Sequence, residues 1–298
     1  MRFLFVDRIL QLSPTIARGI KHVTREDYYL CADDDGRPCF IPSLIGETLG
    51  QLAAWHVMAS QEFSCRPVAG VVSSACLYRP AYIGETIQLE AAIDAVDDAV
   101  VRYHGTASIG QEIIFRIDSA LGPLLPMNEF IDKEAVRQQF NEINRPADWP
   151  LAQSLFEQGS GVVANEGLHL IQMQFDHILH CEPHVSIRAE KRVTRAAAYF
   201  PDHFPKKPVL PLTVLLECKL NLAREFLARS GLAGRYVVRE MRRIKMSGFV
   251  HPGDVLQCEM TVKSQSEQEM VLNYHTEINR KRVCILDVVL VLKGGSHE

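Results

Sequence analysis

Two kinds of residue in this chain have the type and spacing to move protons. In the stretch YFPDHFPKKP (199–208), His203 stands between two phenylalanines and is hemmed in by three prolines, and Glu217 follows in the apolar run after it. A second acid, Glu47, is the only Asp, Glu, Lys or Arg from 42 to 61, and a lone charge on an apolar helix is costly unless it is used. An imidazole with an ordinary pKa of about 6.5 can take a weakly acidic proton near neutral pH, and a carboxyl group can hold or protonate a departing hydroxyl. A third cluster, HILHCEPH, offers His177, His180, Cys181 and His184. It has metal-ligand spacing only as a helix; as a strand it sends His177 and His180 to opposite faces, and no metal is expected. No Walker motif, nucleophile elbow or dinucleotide fingerprint occurs, no cofactor is expected, and GSG at 159–161 reads as linker.

The elements that must position these residues come as a repeat. KHVTREDYYLCADDDGRPCFIPSLIGE (21–47) aligns without a gap on KRVTRAAAYFPDHFPKKPVLPLTVLLE (191–217) at an offset of 170, which matches Lys21 with Lys191, Thr24 with Thr194, Tyr29 with Tyr199, Pro38 with Pro208 and Glu47 with Glu217. VDRIL (6–10) mirrors FDHIL (175–179), and IGETIQLE (83–90) mirrors PGDVLQCE (252–259). The polar stretch between the copies, with a helical start and then prolines and glycines, reads as a connector, dividing the chain into 1–131, 132–160 and 161–298. Each half predicts a short strand, a Pro-rich loop and a long apolar helix (43–60 and 212–229). Strands follow each helix, at 86–95, 99–109 and 112–120 and again at 255–264, 269–279 and 282–292. Runs of strands after one helix predict an α+β fold with an antiparallel sheet.

With 298 residues, 47% hydrophobic and 23% charged, the composition is that of an ordinary globular protein, and the net charge of −4 argues against nucleic acid as a partner. The apolar start MRFLFVDRIL is cut short by Asp7 and Arg8, so it predicts neither a signal-peptide core nor a membrane span, and a cytoplasmic location is expected. Eight cysteines without a C-x-x-C pair are expected to be reduced and mainly buried.

HFPKKPVLPLTVLLE resembles the central motif of the hotdog-fold 3-hydroxyacyl-acyl carrier protein dehydratases of fatty-acid synthesis. That motif is a histidine followed by Phe-Pro-Gly-x-Pro-x-x-Pro-Gly and then an acid on the helix, at the separation found here between His203 and Glu217. FLFVDRIL and GFVHPGD look like the family's first strand and the turn after its helix. The resemblance covers most of both halves and implies a double hotdog, each half a sheet wrapped around its own helix. It implies dehydration of a 3-hydroxyacyl thioester, carried on acyl carrier protein, to the trans-2-enoyl product, without a cofactor, in fatty-acid-type or polyketide-type synthesis.

In that family each site takes its histidine from one hotdog and its acid from the helix of the other, which implies that His203 works with Glu47. The first repeat carries Asp33 at the histidine position, so the resemblance implies a degenerate second site of Asp33 with Glu217. The relatives open the helix with a glycine whose N–H binds the thioester oxygen. Leu212 occupies that place beside His203, while Pro42, without an N–H, occupies it in the other half. An apolar acyl tunnel is expected between the halves. Two other readings stay open, a non-catalytic acyl-binding or scaffold protein and an acyl thioesterase, because a fold does not assign an activity. A homo-oligomer of double-hotdog chains is also left open.

Overall fold

The computed structural model describes residues 3–147 and 167–294. The first half contains β1 (Arg8–Leu12), β2 (Ile16–His22), β3 (Leu30–Ala32), β4 (Pro38–Phe40), the helix α1 (Pro42–Ser60), β5 (Cys65–Pro67), β6 (Val71–Leu77), β7 (Ala81–Tyr82), β8 (Thr86–Val96), β9 (Val100–Ile109) and β10 (Glu112–Pro126). A second helix, α2 (Lys133–Ile143), starts the expected connector. Its remainder from 148, with GSG at 159–161, lies outside the described residues. The second half contains β11 (His177–Glu182), β12 (Ser186–Arg192), the helix α3 (Leu212–Arg229), β13 (Tyr236–Met246), β14 (Val255–Gln265), β15 (Glu269–Ile278) and β16 (Lys281–Leu292).

Thirteen strands form one antiparallel sheet in the order β1-β2-β8-β9-β10-β6-β13-β16-β15-β14-β12-β11, with β5 added alongside β10; β3, β4 and β7 make a small separate sheet. Exchanging each first-half strand for its counterpart reads the order backwards, which is the pattern of two copies joined about a two-fold axis. The seam is the pair β6 and β13, and its register obeys the same rule. The partners Val71↔Lys245 and Cys76↔Glu240 interchange when each residue is replaced by the one 169 positions away. This is the α+β double hotdog expected from the sequence.

Both long helices open without a side-chain cap, and α1 has proline at its first position, where a missing N–H costs nothing. α1 packs on β2, β8, β9 and β10. α3 is held against its own sheet by Tyr274, whose hydroxyl donates to the Lys219 carbonyl at 2.9 Å. A side chain at Gly105 of β9 would put its Cβ 2.8 Å from the Glu90 carbonyl oxygen and 3.4 Å from Leu49 of α1, so the absence of one lets strand and helix close up.

Three expectations need correction. Residues 3–7 are not strand; the first strand begins at Arg8, and Phe3 to Asp7 run beside the loop that carries His203. β10 continues past residue 120 to Pro126. His177 and His180 do not point to opposite faces. A bulge between Ile178 and His180 adds a residue, so their partners Glu190 and Arg188 lie two apart and both histidines stand on the exposed face. All eight cysteines are free; Cys39, Cys218, Cys258 and Cys284 are buried and the other four half-buried. Among the described residues no helix is long and apolar enough to cross a membrane.

The close approach at Gly105 makes a direct prediction. Gly105→Ala should lower stability by about 1–3 kcal/mol, read as a reduced urea midpoint at unchanged slope.

Candidate active site

The loop before α3 is pinned by its own backbone. His203 N–H donates to the Tyr199 carbonyl at 2.9 Å, Val209 N–H to the His203 carbonyl at 3.1 Å, and Leu210 N–H to Val250 at 2.8 Å. The His203 ring stacks on Phe204 with centroids 4.1 Å apart and meets the edge of Phe3 at 5.8 Å. Its Nδ1 lies 2.9 Å from the Val209 carbonyl oxygen. A carbonyl only accepts, so Nδ1 carries the proton and Nε2 keeps its lone pair.

Glu47 reaches the same place from the other half. Thr213 Oγ1, one residue into α3, donates to Glu47 Oε2 at 2.7 Å, and Gln51 Nε2, one turn along α1, donates to Oε1 at 3.1 Å. Gln51 also holds the N-terminal segment, donating to the Phe3 carbonyl at 3.1 Å and accepting from Phe5 N–H at 2.9 Å. Phe3 N–H in turn donates to Asp202, the neighbour of His203, at 2.7 Å. The acid of one repeat and the histidine loop of the other are thereby tied together through residues 3–5.

His203, Glu47 and Leu212 all line one cavity of about 360 Å3. As the first residue of α3, Leu212 presents an N–H that has no acceptor within the helix. From there the cavity follows Gly46, Gly50, Ala53 and Ala54 of α1, faced by Tyr103, Phe115 and Ile117. The glycines matter because a Cβ at Gly46 would sit 3.1 Å from Phe115, and one at Gly50 would sit 3.3 Å from the Tyr103 hydroxyl.

The other expected pair is differently engaged. Asp33 accepts from the N–H groups of Asp35 and Arg37 at 3.0 and 2.8 Å and from the Tyr82 hydroxyl at 2.9 Å. Glu217, 2% exposed, accepts from Ser43 N–H at the start of α1 at 3.2 Å and lies 3.6 Å from the Arg224 guanidinium. Neither residue lines the cavity. The counterparts of Gly46, Gly50 and Ala54 are the bulkier Leu216, Leu220 and Arg224, of which Leu216 lines this same cavity.

Burial pushes the His203 pKa below the ordinary value; the Glu47 charge and the Val209 hydrogen bond pull it up, and the Arg66 charge pushes it down. Arg66 is itself lowered to about 10 by burial. Burial next to Glu47 raises the Tyr103 phenol. Sequence reasoning missed Thr213, Gln51 and Arg66. Gln51 lies one turn from Glu47 on the same helix face and was findable from spacing alone. Arg66 lies on β5 and carries no motif; its counterpart at the offset of 169 is Arg235, just before β13.

The fold and this cleft define a double-hotdog protein with a histidine and an acid drawn from different repeats. Residues 180–285 match the family model described as ApeI-like, ApeI dehydratase. The 3-hydroxyacyl-acyl carrier protein dehydratase FabZ of Caldanaerobacter subterraneus is 32% identical over 113 residues, covering 37% of this chain and 80% of the relative. That of Pediococcus pentosaceus is 27% identical over 119 residues, covering 39% and 80%. Among solved structures, an oleoyl thioesterase from Lactobacillus plantarum superposes with a TM-score of 0.58 at 10% identity, covering 94% of this chain and 97% of that one. The dehydratase domain of PpsC from Mycobacterium tuberculosis does so with 0.56 at 9% identity, covering 97% and 98%. At such identities the structural likenesses show the fold alone. The chain belongs to the hotdog-fold 3-hydroxyacyl-acyl carrier protein dehydratase family.

Because burial dominates at His203, its imidazole should titrate below 6.5 in NMR of the ligand-free protein. Glu47→Gln removes the charge that favours imidazolium, so it should move the midpoint further down. A midpoint that stays put would separate Glu47 from the histidine.

Proposed function

We propose that the protein removes water from 3-hydroxyacyl thioesters carried on acyl carrier protein, giving the trans-2-enoyl thioester at a single site shared by the two halves, in fatty-acid-type or polyketide-type synthesis. In this reading residues 1–131 and 161–298 are the two repeats and 132–160 the connector. The observation that carries it is the convergence of His203 and Glu47 on one cavity, with the histidine already in the tautomer that leaves Nε2 free. A depressed imidazole pKa keeps His203 neutral, and hence basic, at physiological pH.

The roles follow from position. His203 Nε2 takes the proton from C2 of the substrate. Leu212 N–H, at the positive end of α3, receives the thioester oxygen as charge builds on it. Glu47 accepts the hydrogen bond of the 3-hydroxyl and aims the C3–O bond. The electron pair from C2–H forms the C2=C3 bond, hydroxide leaves C3, and it takes from His203 the proton just removed, which yields water and restores the base. The acyl chain lies in the groove along Gly46 and Gly50. Asp33 and Glu217 form the degenerate second place, where Pro42 offers no N–H, Ser43 N–H is taken by Glu217, and Leu216 and Leu220 stand at the positions of Gly46 and Gly50. Free thiols throughout support a cytoplasmic location.

Product analysis tests the reaction: enoyl thioester from hydroxyacyl thioester supports it, while free acid marks a thioesterase and unchanged substrate a binding protein. Glu47→Gln should lower kcat by about 10²–10⁴. Glu217→Gln should leave it within a few-fold at 25 °C, even if the lost buried contact costs about 1–3 kcal/mol of stability. The reverse result would assign the acid to the same repeat as the histidine. Gly46→Leu, which copies Leu216 into the groove, should raise KM for long acyl chains at least about tenfold, the loss expected for a few buried methylenes.

A further inference from the structure

Arg66 is a cationic side chain of the cavity that the reaction as described does not use. It lines the same cavity as His203 and Glu47. Its guanidinium lies over the Phe204 ring, 4.3 Å from the centroid, and that ring is in turn stacked on His203. Its other contact is weak, from an Nη1 to the Met58 sulfur at 3.8 Å. Nε is buried without any partner, and Arg66 makes no ion pair among the described residues. Arg66 is half-buried with Nε fully enclosed, and an enclosed guanidinium nitrogen without a partner is costly unless something answers it. Burial has already cost it basicity, while Glu47 is the acid close enough to restore some of it.

Arg66 and Glu47 thus line one cavity, near enough for the acid's charge to act on the guanidinium, and form no ion pair with each other. A carboxylate only accepts hydrogen bonds and a guanidinium only donates them. A thioester carbonyl, which only accepts, cannot join the two. A hydroxyl can, donating to Glu47 and accepting from Arg66. The substrate of the reading above carries one such group, at C3.

We propose that Arg66 is a further catalytic residue, donating to the oxygen of the 3-hydroxyl and stabilising it as it leaves as hydroxide. The proposal rests on the dehydratase reading. As the C2–H bond breaks toward His203 and the C2=C3 bond forms, the C3–O bond breaks. The oxygen keeps its own hydrogen, bonded to Glu47, and its growing negative charge falls on the guanidinium. It then takes the C2 proton back from His203. This puts a fixed positive charge where hydroxide develops and leaves the Leu212 N–H for the carbonyl, so the two sites of charge development have separate donors. Phe204 touches both, with the guanidinium over its ring and the imidazole stacked on it.

The test is to change the leaving group. Wild-type protein, Arg66→Met, Arg66→Lys and His203→Ala are each given a 3-hydroxyacyl thioester and the matching 3-chloroacyl thioester, which expels chloride with no need for a proton; spontaneous elimination is subtracted. Arg66→Met should lose about 10²-fold or more in kcat on the hydroxy substrate yet stay within about threefold of wild type on the chloro substrate. Arg66→Lys, which keeps the charge and disturbs packing least, should show the same contrast with a smaller loss. His203→Ala should fail on both. Equal losses on the two substrates would show that Arg66 acts on the base or on acyl binding, and an unchanged kcat on the hydroxy substrate would show that it does nothing in the reaction; either overturns the proposal. A wild-type protein that leaves the hydroxy substrate untouched would instead overturn the dehydratase reading itself.

Discussion

The arrangement depends on two helix starts brought face to face. Pairing β6 with β13 places the halves about a two-fold axis, and the same axis brings the N-terminal turn of α1 against that of α3. Each helix start carries roughly half a positive charge, so this meeting is repulsive unless something answers it. Both helices do so from their second turn. Glu217 of α3 accepts from Ser43 at the start of α1, and Glu47 of α1 accepts from Thr213 at the start of α3. Ser43 and Thr213 are themselves counterparts in the repeat. This reciprocal contact gives a physical reason for an acid in both halves: the carboxylates answer the helix ends whether or not a substrate binds beside them.

The same contact brings the chemistry together. A carboxylate that reaches the opposing helix start necessarily lies beside the loop that leads into that helix, and on the α3 side that loop carries His203. Residues 3–5 then close the site from a third direction, linking Gln51 of α1 to Asp202 of the loop. Each polar group arrives on a rigid support: a helix turn, a proline-bound loop with its own backbone hydrogen bonds, and a segment stitched at both ends. Such preorganisation is what stabilisation of developing charge requires, since fixed donors need no reorganisation as the reaction proceeds.

Much of the fold was legible because the repeat doubles every signal. The helices were read within a residue of their observed bounds, since proline marks their starts and their apolar faces persist for five turns. Strand alternation misled at His177 and His180 because a bulge breaks the period of two, and nothing in HILHCEPH marks where the extra residue falls. In the cleft, Glu47 could be named because it is alone among apolar neighbours and has a partner at the matching position of the second repeat. Thr213 and Arg66 could not. Thr213 matters through one hydroxyl whose acceptor lies 166 residues away. Arg66 matters through what surrounds it in space; the repeat sets Arg235 opposite it, and nothing in the sequence tells which of the two lines a cavity.

Tandem fusion also explains how the two halves could diverge. In a symmetric dimer of identical subunits, a change to the histidine loop damages both sites at once. In a fused chain with the single shared site proposed above, each half needs only its share of that site, so losses can fall on complementary sides. The first half keeps the acid and the groove of small residues, and Asp33 has turned its carboxylate to its own loop and Tyr82. The second half keeps the histidine loop and a helix start with an N–H at its first position, and carries the buried Leu216 and Leu220 at the positions of Gly46 and Gly50.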